Sequence, residues 1–332
     1  MTEDTAPKYE EYGIFTGSDI YQRVAPKVPI IEGIFNRGDN LAISSTAGMG
    51  KSILALQLVC ALTSGTDFLD TYKVYRKWKV LYVQTESDRA ETVHRLIHMR
   101  KALPIDDSMW AHFNASGIIL NTQEGLTEFM SKIKKIPLDY EIIIIDPIYP
   151  TLRGSLSSDE DVTDWQRSTR HIKEYYKNLS YAVFHHDTNK ENWQAGKHIE
   201  KPPEDLFGSS MWINWVSSNY KLKKDGSVHV LKSGKGEGRG RTGQGVNEIR
   251  MRLNEPTPLY YSLDEEGLNE TTSKIWAIFN MDKVKKYRRI ELEDTVEKSK
   301  PTVCKALVTL QRTNKIEKVE EEGIVYYKVK EM

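Results

Sequence analysis

Residues 40–53 read Asn-Leu-Ala-Ile-Ser-Ser-Thr-Ala-Gly-Met-Gly-Lys-Ser-Ile, and this stretch decides the fold. Its first five residues, 40–44, predict a short buried strand, and the apolar pattern of residues 51–64 predicts a helix. The connection between them, 45–52, matches the pattern GxxxxGK(S/T), with Ser45 in place of the first glycine. A strand, a glycine-rich turn and a helix in this order predict a loop whose backbone N–H groups wrap a phosphate.

The residues of this loop predict a site for ATP with Mg²⁺. Gly48 and Gly50 let backbone N–H groups approach the β-phosphate, because neither residue carries a Cβ atom. Lys51 is expected to reach the β- and γ-phosphate oxygens, and the hydroxyl of Ser52 is expected to bind Mg²⁺. The predicted nucleotide-binding residues are Thr46, Ala47, Gly48, Met49, Gly50, Lys51, Ser52 and Ile53.

Two later apolar runs deliver carboxylates to strand ends. The run Glu141–Asp146 ends in Asp146, which is predicted to hold Mg²⁺ through water. Glu86 follows the run Lys79–Gln84 and is predicted to orient the water that attacks the γ-phosphate. Two plainer interpretations stay open, because Asp146 also suits the cap of a core strand and Glu86 also suits the acidic start of a helix at 88–102.

The next predicted strand, Tyr181–His185, ends in a pair of histidines. Neighbouring residues on a strand point to opposite faces, so the pair does not predict a metal site. A polar side chain at this strand end is placed to sense the γ-phosphate and to relay its loss to a DNA-binding loop. His186 is the candidate for this role. A plain surface position for one of the two histidines stays open.

The order of the predicted elements favours an α/β fold with a mainly parallel sheet covered by helices on both faces. The alternating strands and helices are 40–44, 51–64, 79–84, 88–102, 122–135, 141–146, 160–178 and 181–185. Glycine-punctuated strands follow at 214–221, 227–232, 246–253 and 259–263 and predict hairpins at the sheet edge.

The chain divides into an arm at 1–28, a large domain at 29–263, an acidic linker at 264–272 and a small domain at 273–332. The small domain reads as helices 273–282, 288–297 and 301–314 and a hairpin at 315–330, the order of a winged helix. It carries 14 basic and 10 acidic residues from position 272 onward. Docking of a protein is an open alternative to binding of DNA. Four side chains near one face of the third helix suit the major groove of duplex DNA: Thr302, Lys305, Thr309 and Arg312.

The order of motifs resembles the RecA-like superfamily, and in particular the RepA-type hexameric replicative helicases of plasmids and phages. The motifs are Gly-Lys-Ser at 50–52, Glu86, Ile-Ile-Ile-Ile-Asp-Pro at 142–147 and His-His-Asp-Thr-Asn-Lys at 185–190. The resemblance covers residues 30–255. It implies that the family's functional roles apply individually to Lys51, Ser52, Glu86, Asp146 and His186. It implies a RecA-like αβα sandwich, an active site between neighbouring subunits, and a homo-oligomeric ring, a hexamer, with single-stranded DNA in its channel.

Residues 221–252 are strongly basic, with nine Lys or Arg against three acids, and include a glycine-rich loop at 233–245. The resemblance implies that a lysine and an arginine of this hairpin reach the γ-phosphate bound by the next subunit. Lys235 and Arg239 are the candidates, with Lys232 and Arg241 as near-equal alternatives. A solvated loop without such a role is the other interpretation.

Contacts to DNA are expected from the loops that follow the Asp146 and His186 strands. The first is Arg153–Val162, and the second is Asn189–Phe207. The second pairs an aromatic side chain with lysines, which suits base stacking and phosphate contacts; these residues are Lys190, Trp193, Lys197 and Lys201. A lid without DNA contacts is an equal alternative.

The composition of the whole chain limits which classes of protein remain possible. The net charge is zero, so any contact with DNA must rest on local patches. Cys60 and Cys304 lie far apart, which predicts neither a disulfide framework nor a zinc site. No secretion signal or membrane span is predicted, and we expect a cytoplasmic protein.

These features favour an ATP-hydrolysing DNA motor, a ring-forming replicative helicase of a mobile element such as a plasmid or phage. One alternative is a RecA-like regulatory or recombination ATPase that binds DNA without unwinding it. Another is a regulator in which the winged helix reads duplex DNA and ATP only switches assembly.

Overall fold

The computed structural model describes residues 27–186, 192–194, 197–199, 209–233, 246–255, 257–264, 270–282, 284–312, 315–321 and 323–330, together with Gly17. Its main feature is one sheet of nine strands. These strands are β3 (Asn40–Ser45), β4 (Val80–Gln84), β5 (Trp110–Asn114), β6 (Ile142–Asp146), β7 (Ser180–His186), β10 (Ser218–Asp225), β11 (Val228–Ser233), β12 (Glu248–Asn254) and β13 (Tyr260–Leu263).

Two pairs of short strands lie outside this sheet. The first pair is β1 (Pro29–Ile31) and β2 (Phe35–Asn36), and the second is β8 (Asn192–Gln194) and β9 (Lys197–Ile199). The helices of this part of the chain are α1 (Lys51–Ser64), α2 (Arg89–Met99), α3 (Gln123–Ile133), α4 (Asp159–Tyr175) and α5 (Ser210–Trp215).

The strand order across the main sheet is β13-β12-β11-β10-β3-β7-β6-β4-β5. The six strands from β10 to β5 pair in parallel, and β11 to β13 extend the sheet in antiparallel hairpins. The carboxyl ends of the parallel strands therefore meet at one edge, which we call the carboxyl edge; the opposite edge is the amino edge. The predicted αβα architecture with appended hairpins is confirmed.

The sheet separates two hydrophobic cores. Leu41 and Ile43 of β3 pack on the side of α1, whereas Ala42 packs on the other side, beneath α4 and α5. The second core includes the closely packed rings of Trp165, Trp212 and Trp215. Because both faces of the parallel strands are covered, these strands are apolar at successive positions instead of alternating.

Two elements differ from the expectation. β5 was not predicted, because Trp-Ala-His-Phe-Asn is a half-buried edge strand without a β-branched run. Residues 210–215 form a helix where a strand from 214 was predicted. The side chain of Ser209 caps this helix by accepting from the N–H of Met211, and burial of Trp212 fixes its inner face.

The C-terminal part contains the predicted three helices and hairpin. These are α6 (Glu270–Met281), α7 (Arg289–Val296), α8 (Lys300–Arg312), β14 (Ile316–Glu321) and β15 (Ile324–Val329). They enclose a separate small core that includes Phe279, Leu292 and Leu307. α6 begins at Glu270, so three residues assigned to the linker are helical.

The chain leaves the main sheet at Asp264, whose side chain is held by two arginines. Asp264 follows β13, is almost fully buried, and accepts a 2.6 Å hydrogen bond from Nε of Arg252. Arg250 lies on its other side, with Nε 3.9 Å from the second carboxylate oxygen. Among the helices that the structure describes, none is long and apolar enough to cross a membrane.

Candidate nucleotide-binding site

The predicted phosphate loop connects β3 to α1 at the carboxyl edge. Gly48 and Gly50 adopt left-handed backbone angles, with φ of 76° and 78°, which glycine adopts without strain. Gly50 is the N-cap of α1, and the first turn of this helix contains no acidic residue. The first turn of a helix presents unpaired N–H groups and a positive potential. The loop therefore has the shape and charge to receive an anion.

Lys51 lies across this loop. Its ammonium group is buried and donates to the carbonyl oxygens of Ser45 and Thr46 and to the hydroxyl of Ser45, each at 2.9 Å. Ser45, which replaces the usual glycine, thus supplies an additional acceptor for the lysine. The lysine is held at the place where a phosphate oxygen would replace these loop oxygens.

Asp146 comes from a distant part of the chain and lies beside the start of α1. Its carboxyl is almost fully buried and accepts a 2.8 Å hydrogen bond from the hydroxyl of Tyr82. Burial raises the pKa of this carboxyl, and hydrogen bonds from Ser52 and Tyr82 together with the charges of Arg95 and Lys51 oppose that rise. The structure therefore brings Lys51, Ser52 and Asp146 together.

The residues at this edge fit a magnesium nucleotide. The two left-handed glycines shape the loop backbone, and the lysine supplies a cation. Ser52 and Asp146 offer hydroxyl and carboxylate oxygens, the donors that Mg²⁺ prefers beside substrate phosphates. Within the described residues, no group of three or more His, Cys, Asp or Glu side chains forms a separate metal site.

Glu86 and His186 meet at the same edge. Nε2 of His186 lies 3.5 Å from Oε2 of Glu86, and their side chains are 36% and 48% exposed. Both line a cavity of about 510 Å³ together with Tyr149 and residues 154–157. A water molecule and a phosphate have access to both groups from this cavity.

The two histidines are separated by the sheet. His186 lies on the side of α1, and His185, only 1% exposed, belongs to the opposite face. Of the two, His186 is the partly exposed residue and His185 is a core residue. In the parallel register Ser44 lies opposite His185, so both belong to the interior beneath α4 and α5.

Glu86 does not cap the following helix. Asp88 is the N-cap of α2, and its side chain accepts from the N–H of Glu91 at 2.8 Å. The turn that carries Glu86 is held by Gln84, whose side-chain oxygen accepts from the N–H of Glu86 at 3.0 Å. This arrangement leaves the Glu86 carboxylate available to the cavity and favours the water-orienting role over the helix-start role.

The structure places the first predicted DNA loop but not most of the second. The side chain of Asn121 holds the backbone of Arg153: its Nδ2 donates to the carbonyl oxygen at 2.9 Å, and its Oδ1 accepts from the N–H at 2.7 Å. The first turn of α4, within the same loop region, carries three acids, Asp159, Glu160 and Asp161, which weaken its attraction for DNA phosphates. Trp193 and Lys197 lie on β8 and β9. Lys190 and Lys201 lie outside the described residues.

The basic residues predicted to reach a neighbour's γ-phosphate are called the finger residues here. Only part of this set lies within the described residues. Lys232 is exposed near the end of β11, whereas Lys235, Arg239 and Arg241 lie outside the described residues. On α8, Thr302 and Thr309 are half-buried, and the side chains of Lys305 and Arg312 are outside the described part.

Tyr82 is a site residue that sequence reasoning missed. Tyr82 and Gln84 share one face of β4, and Gln84 lies opposite Asp146 in the parallel register. Register between strands that are far apart in the chain is not visible in the sequence, and this tyrosine reads as an ordinary core residue.

Replacing Glu86 with glutamine is expected to slow ATP turnover by at least about 10²-fold, the usual contribution of a positioned base. The amide keeps the size of the side chain and cannot accept the proton of water, so nucleotide affinity should remain. Steady-state turnover and binding of a fluorescent nucleotide measure the two effects. The control is Glu124→Gln, an exposed acid in the first turn of α3, and equal turnover in Glu86→Gln and the parent contradicts the assignment.

Comparison with known proteins agrees with this geometry. Residues 11–192 match the sequence profile of AAA_25, described as an AAA domain. No curated protein matches the chain. Similar solved structures include a DnaB-like replicative helicase, which is 13% identical in sequence. The match covers 79% of this chain and 68% of the helicase chain, with a TM-score of 0.49. Similar structures also include the flagellar accessory protein FlaH from Methanocaldococcus jannaschii, with 15% identity, 76% and 97% coverage, and a TM-score of 0.45.

The AAA_25 match spans more than half of the 332 residues and contains the phosphate loop, the Glu86 turn, Asp146 and His186. The chain therefore belongs to the AAA_25 family of AAA domains, and its phosphate loop is that of a P-loop ATPase.

Proposed function

We propose that this ATPase is a DNA motor, a ring-forming replicative helicase of the RepA type from a plasmid or phage. The observation that carries the proposal is the cavity of about 510 Å³ shared by Glu86, His186 and residues 154–157. Its lining joins Glu86 and His186, the residues predicted to orient water and to sense the γ-phosphate, to part of a loop predicted to contact single-stranded DNA. A change at the γ-phosphate therefore has a short route to the loop that would hold DNA.

In this proposal Lys51 and the loop amides bind the β- and γ-phosphates, and Ser52 and Asp146 hold Mg²⁺. When bound, Mg²⁺ neutralises charge on the phosphate oxygens. Glu86 orients and deprotonates the attacking water. His186, 3.5 Å from the Glu86 carboxylate, changes its contacts when the γ-phosphate leaves.

Assembly into a head-to-tail ring is supported by the position of the basic loop. β11 runs toward the amino edge, and the N–H of Val246 donates to the carbonyl of Gly33, in the turn between β1 and β2, at 3.0 Å. The described residues on the two sides of 234–245 therefore lie away from the chain's own phosphate loop. A heterologous interface joins two different surfaces of the same protein, so a finger on the amino-edge side suits contact with a neighbour's nucleotide.

The C-terminal helices and hairpin are proposed to form a winged helix that binds duplex DNA. The excess of basic residues after position 272 supports this part, and α8 is the helix that would enter the major groove. Together, a channel for single strands and a module for duplex DNA would let the protein load at an origin and then translocate.

Single-stranded DNA is expected to stimulate ATP turnover, and the protein is expected to unwind a forked duplex in the presence of ATP. The reason is that DNA nucleates the ring and so completes the active sites between subunits. ATP turnover with and without an oligonucleotide, native mass and strand separation measure these effects. Glu86→Gln serves as the control, since it should assemble on DNA without unwinding it.

The alternatives predict different results in the same assays. Stimulation and assembly without strand separation would identify a regulatory or recombination ATPase. Sequence-specific binding of duplex DNA, with turnover that single strands do not change, would identify an ATP-switched regulator. Either result contradicts the helicase proposal.

A further inference from the structure

Tyr261 of β13 contacts the phosphate loop although it lies 212 positions later in the chain than Met49. Its hydroxyl donates to the carbonyl oxygen of Met49 at 3.1 Å, and its side chain is almost fully buried. The backbone of Tyr261 is fixed separately. Its N–H donates to Oε1 of Gln57 on α1, and its carbonyl accepts from Nε2 of Gln57, both at 2.7 Å.

The hydroxyl contact sets the direction of one peptide group. In a trans peptide the carbonyl oxygen and the following N–H point in opposite directions. Because the Met49 carbonyl points to Tyr261, the N–H of Gly50 points to the other side of the loop. Turned-in N–H groups between left-handed glycines make a concave site for an anion.

The phenol ring also closes the back of the loop. A Cβ atom added to Gly50 would lie 2.1 Å from the hydroxyl oxygen of Tyr261, so the tyrosine leaves no room for a side chain there. The requirement for glycine at this position therefore comes from both the φ of 78° and the tyrosine. Tyr261 therefore occupies the Cβ side of Gly50.

We propose that Tyr261 is a positioning residue of the nucleotide site, holding the Met49–Gly50 peptide so that its N–H faces the β-phosphate. The inference rests on the proposed nucleotide binding at residues 45–52. It adds a residue from the far edge of the sheet, on a strand that no phosphate-loop pattern includes. The role belongs to the hydroxyl, since pairing with β12 and the two hydrogen bonds of Gln57 fix the strand through its backbone.

Replacing Tyr261 with phenylalanine removes only this hydroxyl. Losing one neutral hydrogen bond corresponds to a change of about 2- to 12-fold in an equilibrium constant. We expect Tyr261→Phe to weaken the binding of ADP and of ATP by the same factor within that range, because both nucleotides carry a β-phosphate. Titration of fluorescent ADP and ATP analogues measures the two dissociation constants.

Tyr181→Phe is the matched control. The hydroxyl of Tyr181 is equally buried and also donates to a backbone carbonyl, that of Thr169, at 3.2 Å on the other face of the sheet. We expect this variant to lose similar stability on heating and to keep its nucleotide affinities. Hydrogen exchange of peptides covering 45–52 is a second readout, and it should be faster without nucleotide in Tyr261→Phe alone.

The outcomes separate this inference from the proposed function. If the parent binds ADP and Tyr261→Phe binds it equally well, the positioning role is wrong and nucleotide binding stands. If both variants weaken ADP equally, the effect reflects general stability and the role is also wrong. If the parent binds no nucleotide, the proposed function fails and this inference fails with it.

Discussion

ATP turnover is expected to fall by at least about 10³-fold when Lys51 is replaced with alanine, the upper range for one preorganised donor in an active site. Lys51 is the cation that lies directly across the loop, with its ammonium group on the oxygens of Ser45 and Thr46. Alanine removes the charge that would meet the β- and γ-phosphates. Turnover at saturating ATP and binding of a fluorescent nucleotide are the measurements.

A half-buried lysine elsewhere provides the control for this prediction. Lys173 of α4 donates to the carbonyl of Gly38 at 2.9 Å and to the side chain of Asn40 at 2.8 Å, at the amino edge. Burial lowers the pKa of Lys173 to about 8. Lys173→Ala should destabilise the fold and leave turnover per folded molecule unchanged. Comparable turnover in Lys51→Ala and the parent would remove the phosphate-loop assignment.

The other large effect concerns Arg239, the proposed finger. Arginine fingers contribute roughly 10³–10⁵ in rate, so Arg239→Ala should turn over ATP slower by a factor in that range. Nucleotide binding should be retained, because the loop at 45–52 is intact. The same argument predicts that specific activity rises steeply with protein concentration, since each complete site needs two subunits.

Mixing two inactive variants tests whether the finger acts between subunits. An Arg239→Ala subunit has an intact phosphate loop, and a Lys51→Ala subunit has an intact finger. Some interfaces of a mixed ring pair these two intact halves, so the mixture should regain part of the activity. A mixture that stays inactive, together with activity independent of concentration, would contradict action in trans. Lys235→Ala and Lys232→Ala then test the neighbouring candidates.

The elements nearest the predicted phosphate loop were the most predictable. β3, α1 and β6 were placed within one residue of their observed bounds, because strands covered on both faces have continuous apolar runs that turn residues delimit. β5 was missed because it lacks such a continuous apolar run. An edge strand needs fewer apolar residues, and its pairing with β4 is decided by tertiary packing.

Side-chain partners were less predictable than strands. The glycines and Lys51 form a local pattern, and the carboxylates at strand ends follow from the parallel sheet. The hydroxyls of Tyr82 and Tyr261 depend on register and on the path of β13 across α1, and neither leaves a local signature. The separation of His185 from His186 was predictable in principle from alternation, and only the burial of His185 required the structure.

The anchored Asp264 limits the reach of the C-terminal part. Five residues, 265–269, separate it from α6, and an extended chain advances at most about 3.6 Å per residue. The start of α6 therefore remains within about 22 Å of Asp264. Two binding surfaces on so short a tether meet at an effective concentration in the millimolar range. If both bind DNA, even a weak grip by the small module raises the avidity of the whole protein for a duplex–single-strand junction, where both kinds of DNA are within reach.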